Sequence, residues 1–167
     1  MKRQSFATNQ SSVPTSEQAE FWLQRGAAFL EEGRYEEAAS LYTKAIQIEP
    51  GCLLAWYGRG DALANIGCYQ AALSDFEQAL SLDSTCPEFW TFRAVVLLHL
   101  KRFTEALESC DRALQLQPHD SEAWTFRGAA LSHLRRYREA YAAYDRATQT
   151  EPIALKQRLT QLWQRFF

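Results

Sequence analysis

The side chains best suited to metal or nucleophilic chemistry are four cysteines and three histidines, and their spacing organises no site. Cys52, Cys68, Cys86 and Cys110 are separated by 16, 18 and 24 residues, which lacks the short Cys-x2–4-Cys step that closes a zinc site. Four separate thiols, kept reduced, are expected. His119 follows Pro118 and reads as a solvated turn residue. His99 and His133 are 34 residues apart and should project alike from equivalent elements. They read either as two side chains on the wall of a groove or as the beginning of a metal site. No further ligand accompanies them, so neither a metal nor a cofactor is expected.

Sequence signatures of catalysis are missing as well. No His-Glu-x-x-His, Gly-x-Ser-x-Gly or phosphate-loop pattern occurs. Gly58-Arg59-Gly60 resembles the opening of a dinucleotide fingerprint, but the third glycine is absent and the local periodicity is helical. No enzyme activity is expected.

Composition narrows the classes further. The net charge of −2 argues against nucleic acid, whose binders carry a basic patch. Apolar runs such as Ala94 to Leu98 are far too short to span a bilayer, so no membrane insertion is expected. Residues 1–16 are polar and serine-rich and lack the apolar stretch of a signal peptide. They read as a disordered leader, and the chain reads as cytoplasmic.

The elements that would carry any site announce themselves by repetition. Trp22, Trp56, Trp90 and Trp124 fall 34 residues apart. The same period carries Arg25, Arg59, Arg93 and Arg127, and Ala38, Ala72, Ala106 and Ala140. It also carries Ala45, Ala79, Ala113 and Ala147, and the aromatics Tyr35, Tyr69, Phe103 and Tyr137. Within a unit the apolar positions recur at three and four residues, the helical step. Gly33 and Gly67 mark a break in the first two units, as left-handed helix terminators do, with Lys101 and Arg135 in their place later. Pro50, Pro118 and Pro152 end the second helix of their units. Thr85 and Asp120 are expected to cap the helices that follow them. Each unit is therefore a helix, a turn and a second helix. Small residues (Gly26, Gly60, Ala94 and Gly128 on the first helix, the Ala38 series on the second) let the pair approach. The tryptophans are expected to fill the space between units.

These residues resemble the tetratricopeptide repeat, whose pattern is W-x2-L-G-x2-Y…A-x3-F…P. The first unit reads Trp22, Arg25, Gly26, Phe29, Ala38, Tyr42, Ala45, Pro50, and the later units follow it through residue 152. Two departures stand out. Ser84 replaces the proline of the second unit, and Cys110 replaces the aromatic of the third, which should leave that unit loosely packed. Arginine replaces leucine throughout, a W-x-x-R-G variant that resembles bacterial members of the family. Those arginines read either as packing residues paired with nearby acids or as a ladder that grips a ligand.

The resemblance implies an all-α fold, a right-handed α-solenoid of four helix-turn-helix repeats plus a C-terminal capping helix. By period the repeats run 19–52, 53–86, 87–120 and 121–154, and residues 153–167 form the cap. With Trp163, Phe166 and Phe167, that last segment reads alternatively as a partner-binding tail or a homo-oligomer contact.

Counting each repeat from Ala19, Leu53, Pro87 and Ser121, positions 2, 5, 9, 12 and 13 share one helical face. In the family this face lines the groove that takes peptides. The resemblance thus implies a protein or peptide partner and makes Leu23, Ala27, Tyr57, Asp61, Asn65, Thr91, Val95, Leu98, His99, Thr125, Ala129 and His133 the candidate contacts. Tyr57, Val95 and Leu98 are the leading apolar ones. Some relatives clamp acidic C-termini with basic and amide side chains. The corresponding positions here hold Leu23, Ala27, Asp61, Glu88 and Phe92, which should repel a carboxylate. The function expected is an adaptor or assembly factor whose groove takes an apolar segment with some basic character.

Overall fold

The computed structural model describes residues 16–149. They form α1 (Ser16–Glu31), α2 (Tyr35–Ile48), α3 (Leu53–Asn65), α4 (Tyr69–Leu82), α5 (Pro87–His99), α6 (Phe103–Leu116), α7 (Ser121–His133) and α8 (Tyr137–Gln149). Residues 1–15 of the expected leader and the expected cap at 153–167 lie outside the described residues, while Ser16, read as the last leader residue, begins α1. Each helix packs against its sequence neighbours. The odd helices also touch one another (α1 with α3, α3 with α5, α5 with α7), whereas the even helices meet each other marginally at most. The odd layer therefore lies on the inside of the curve and the even layer on the outside.

Turn chemistry repeats with the period. Gly33 and Gly67 have φ of 74° and 81°, and Lys101 and Arg135 hold the same left-handed conformation at 59° and 60°. At each turn the backbone closes a Schellman-type pair, for example Arg34 N–H to the Phe29 carbonyl and Arg102 N–H to that of Leu97, both within 2.9 Å. Asp120 caps α7 as expected, accepting from the N–H groups of Glu122 and Ala123 at 2.9 and 3.2 Å. Thr85 does not cap α5. Cys86 is the cap residue, because Pro87 sets the helix start one position later, and Thr85 instead donates to the Asp83 carboxylate.

The small-residue series are buried, the Ala38 and Ala45 sets at 2 % exposure or less. Volume is balanced across three positions. In the first repeat Gly26 faces Tyr42 at 3.1 Å, and Gly58 of the second repeat lies beneath the same ring. In the second, Gly60 faces Phe76 at 3.0 Å, and Phe92 of the third stacks on it at 5.8 Å. In the third, Ala94, Cys110 and Phe126 form one buried cluster. The third repeat is thus not loose. The Ala94 methyl and the Phe126 ring occupy the volume that a missing aromatic would have left, and Cys110 is fully buried.

The tryptophans fill the space between units as expected, packing beside the buried residues where consecutive repeats meet, and all four are half-buried. Three of them pin the preceding loop, six residues back. The indole N–H of Trp56 donates to the Pro50 carbonyl at 2.7 Å, that of Trp90 to Ser84 at 2.9 Å, and that of Trp124 to Pro118 at 2.9 Å. The bond goes to the backbone, so Ser84 serves as well as proline.

The arginine series follows the packing reading. The guanidiniums of Arg59, Arg93 and Arg127 reach sixteen residues forward, to the second helix of their own repeat, or sixteen back, to that of the preceding one. Arg59 grips Asp75 through Nε and Nη2 at 2.7 and 2.8 Å and donates to Thr43 at 3.2 Å. Arg93 donates to Ser109 at 2.7 Å and Glu77 at 3.0 Å. Arg127 keeps only the backward partner, Asp111, at 2.7 Å, because its forward position is Ala143. Arg25 has Leu41 forward and lies over the Phe29 ring. The pair Arg59–Asp75, with Asp75 buried, holds the Arg59 guanidinium even more firmly charged than usual.

Candidate functional site

The inner face is built from the odd helices. Their twenty positions 2, 5, 9, 12 and 13 include Glu20, Glu31, Asp61, Glu88 and Glu122 and no lysine or arginine. Between α3, α5 and α7 this face hollows into a cavity of about 240 Å³. Of the sequence-predicted residues, Asp61, Asn65, Thr91, Val95 and His99 come together there. Its walls also hold Ala64, Tyr69, Phe92, Val96, Glu122 and Phe126, of which Ala64, Phe92 and Glu122 sit at groove or clamp positions read from the sequence and Tyr69 belongs to the 34-residue aromatic series.

Packing explains the arrangement. Asn65 lies one helical turn after Asp61, and its Nδ2 donates to the Asp61 carboxylate and main-chain carbonyl, both at 2.9 Å. This fixes the direction of the carboxylate. His99 lies flat on Tyr69, ring centres 4.2 Å apart and 7° from parallel. His133 lies in the same way on Phe103 at 4.3 Å and 4°. Each stack joins the first helix of one repeat to the second helix of the one before. The two histidines thus project alike, as their spacing implies, and each is braced by an aromatic of the 34-residue series. Among the described residues no group of three or more His, Cys, Asp or Glu could hold a metal ion.

The other predicted contacts are spread unevenly. Tyr57 is half-buried among Phe89, Phe92 and Phe76, at ring distances of 5.1, 5.3 and 6.2 Å. Burial, with Asp61 nearby, pushes its hydroxyl above the usual tyrosine range. Leu98 and Val95 pack partly against the Ala94–Cys110–Phe126 cluster, so the leading apolar contacts are also core residues. Thr91 and Thr125 are buried, and each donates its hydroxyl to the carbonyl one turn back, Pro87 at 3.3 Å and Ser121 at 2.8 Å. A β-branched threonine on a crowded face satisfies its hydroxyl on its own helix. Leu23 is half-buried between two core clusters, Ala27 is exposed on α1, and Ala129 is half-buried on α7. At the clamp positions Glu88 accepts from the Cys86 thiol at 2.9 Å. That bond holds the Glu88 carboxyl below the ordinary range, while burial first, and then the bond, raises the thiol.

The inner face therefore holds a shallow, aromatic-walled depression whose polar groups include two carboxylates, an amide and the braced imidazole of His99. Sequence models of the tetratricopeptide repeat match residues 19–52, 57–121 and 121–153. The chain belongs to the tetratricopeptide repeat family. Solved structures of other tetratricopeptide repeat arrays superpose on it. MamA aligns at 20 % identity and TM-score 0.76, over 79 % of this chain and 77 % of that one. MamA from Desulfovibrio magneticus RS-1 aligns at 18 % and 0.76, over 79 % and 75 %. YrrB, described as a tetratricopeptide repeat protein with an unusual peptide-binding site, aligns at 25 % and 0.73, over 83 % and 71 %. No curated protein sequence matches. Among the described residues no helix is long and apolar enough to cross a membrane.

Proposed function

We propose that this tetratricopeptide repeat array is a non-catalytic scaffold that takes a partner's peptide segment on its inner face, the segment being apolar with basic residues. The observation that carries the reading is the depression between α3, α5 and α7, where Asp61 and Glu122 stand over walls made by Phe92, Val95 and Phe126. Apolar walls supply the burial, and carboxylates supply the sign of charge selected. The peptide-binding site reported for YrrB, a quarter identical to this chain, supports the same use of the array. A carboxylate clamp has no support, since Asp61 and Glu88 stand where basic or amide groups would be needed.

Fluorescence anisotropy tests this with two labelled peptides of equal length, one Lys-Leu and one uncharged Gln-Leu in alternation. Preference for the basic peptide, reduced at least tenfold by Asp61→Lys, is the expected result. Equal affinity for both peptides, unaltered in the variant, would place the site elsewhere.

A second reading, self-association through the C-terminal end of the array, rests on Tyr137 and Tyr141, which are 56 % and 75 % exposed on α8. Light scattering on Tyr141→Ser separates it, since a scaffold that works as a monomer keeps its mass.

A further inference from the structure

The outer face carries a second cleft, about 890 Å³, between α6 and α8 over the start of α7. The arginine pattern has a gap here. Arg59 and Arg93 each have a forward partner sixteen residues on, Asp75 and Ser109. Arg127 meets Ala143 there, so only its Nε is engaged, by Asp111, and its two Nη groups have no hydrogen-bond partner among the described residues. Arg146, on α8, has no ion pair among the described residues. Its guanidinium lies 5.3 Å from the centre of the Trp124 ring, and that of Arg127 lies 5.5 Å from the same centre. Two cations thus share one indole on the wall of a cleft floored by Leu114, Ala142 and Ala143. The two acids at the rim do not neutralise them both. Asp111 is taken by Arg127, and Glu139 is held by Arg136 at 2.8 and 2.7 Å.

We infer that this outer cleft binds an acidic, apolar-flanked peptide segment of a protein partner, a carboxylate bridging Arg127 and Arg146. Guanidinium N–H pairs match a carboxylate in geometry, and a third charge of opposite sign relieves the repulsion between two neighbouring cations. The apolar floor takes the flanking side chains. The chain's own undescribed residues are poor occupants by charge. Residues 1–15 contain no Asp or Glu, and residues 150–167 contain Glu151 against Lys156, Arg158 and Arg165. The outer and inner faces then select opposite charges, and the two sites are independent.

The test uses the full chain and a fluorescein-labelled Glu-Leu repeat peptide, with its Gln-Leu analogue as control. Arg146→Gln removes an exposed cation, and Ala143→Asp supplies the carboxylate that Asp75 provides two repeats earlier. Both variants are expected to keep the helical circular dichroism and to weaken the Glu-Leu peptide at least tenfold, while the Lys-Leu peptide on the inner face binds them as it binds wild type. Equal binding by wild type and Arg146→Gln would overturn the assignment. So would binding confined to a phosphoserine version of the peptide, or a wild-type dimer dispersed by Arg146→Gln, which would make a second copy the occupant.

Discussion

A Cβ built on Gly58 would stand 2.3 Å from Cζ of Tyr42, a residue of the preceding repeat. The glycine is buried in the middle of α3, where any other residue except proline would favour the helix. It is there because the tyrosine ring needs the room. Gly58→Ala is therefore expected to destabilise the array by roughly 1–3 kcal/mol, the overlap outweighing a gain in helix propensity of up to about 1 kcal/mol. Thermal unfolding followed by circular dichroism measures the loss, and Gly58→Ala combined with Tyr42→Leu should recover part of it. A neutral or stabilising Gly58→Ala would show that the ring moves aside at little cost.

The same tyrosine reports on pH. Burial, with Asp61 and Glu31 adding to it, raises the Tyr42 hydroxyl from 10 to about 12. In the unfolded chain the phenol ionises at its ordinary pH, so the folded state loses ground between pH 10 and 12, where only the unfolded form is charged. The sign is a fall in stability with rising pH, on the order of 2 kcal/mol for this residue. Tyr57 and Tyr144, raised in the same direction by burial, add to it. Urea midpoints at pH 8.5 and 11 should converge in part when Tyr42 is replaced by phenylalanine.

Lys101 and Arg135 hold left-handed conformations that Gly33 and Gly67 adopt without steric cost. Lys101→Gly and Arg135→Gly are each expected to raise stability by roughly 0.5–1 kcal/mol, the relief of a side chain from that region less the extra freedom of glycine in the unfolded chain. A lowered melting temperature in either variant would contradict this account of the turns.

Asp75 is 3 % exposed and receives two hydrogen bonds from Arg59. Asp75→Ala leaves a half-buried guanidinium with Thr43 alone and should cost about 2–4 kcal/mol. Asp111→Ala should cost less, since Asp111 is far more exposed than Asp75. Chemical denaturation of the two variants side by side gives the ranking, and the reverse order would refute it.

Trp56→Phe keeps most of the ring and removes the bond to the Pro50 carbonyl. A loss of roughly 0.5–1.5 kcal/mol is expected, well short of the 3–5 kcal/mol that truncating a fully buried tryptophan would bring.

Much of the scaffold was legible because it is periodic. A tryptophan or alanine that returns every 34 residues can be seen without knowing what it touches. What the period hides is any contact whose two ends vary. The arginines were visible as a series, but their partners are Asp75, Ser109, Thr43, Glu77 and Asp111, which do not repeat one residue type at either register. The sixth position of each repeat runs Gln24, Gly58, Phe92, Phe126 and looks random alone. It acquires meaning only beside Tyr42, Phe76 and Cys110 of the preceding repeats. The inner face was legible to the same extent. Helical geometry put Asp61, Asn65, Val95 and His99 on one side. It could not tell that Thr91 and Thr125 would turn their hydroxyls to their own backbone, or that Tyr57 would be drawn into a nest of phenylalanines.

The sharing of volume between Tyr42 and Gly58, and between Phe76 and Phe92, bears on how such a gene can change. Excising one full period from the second repeat would keep every tryptophan and alanine in step, yet it would seat Phe92 where Tyr42 tolerates only a hydrogen atom. The repeats thus behave less like beads than like words in a sentence, each constraining its successor. Duplications and deletions that respect the period should still fail unless the residue at the new seam changes with them.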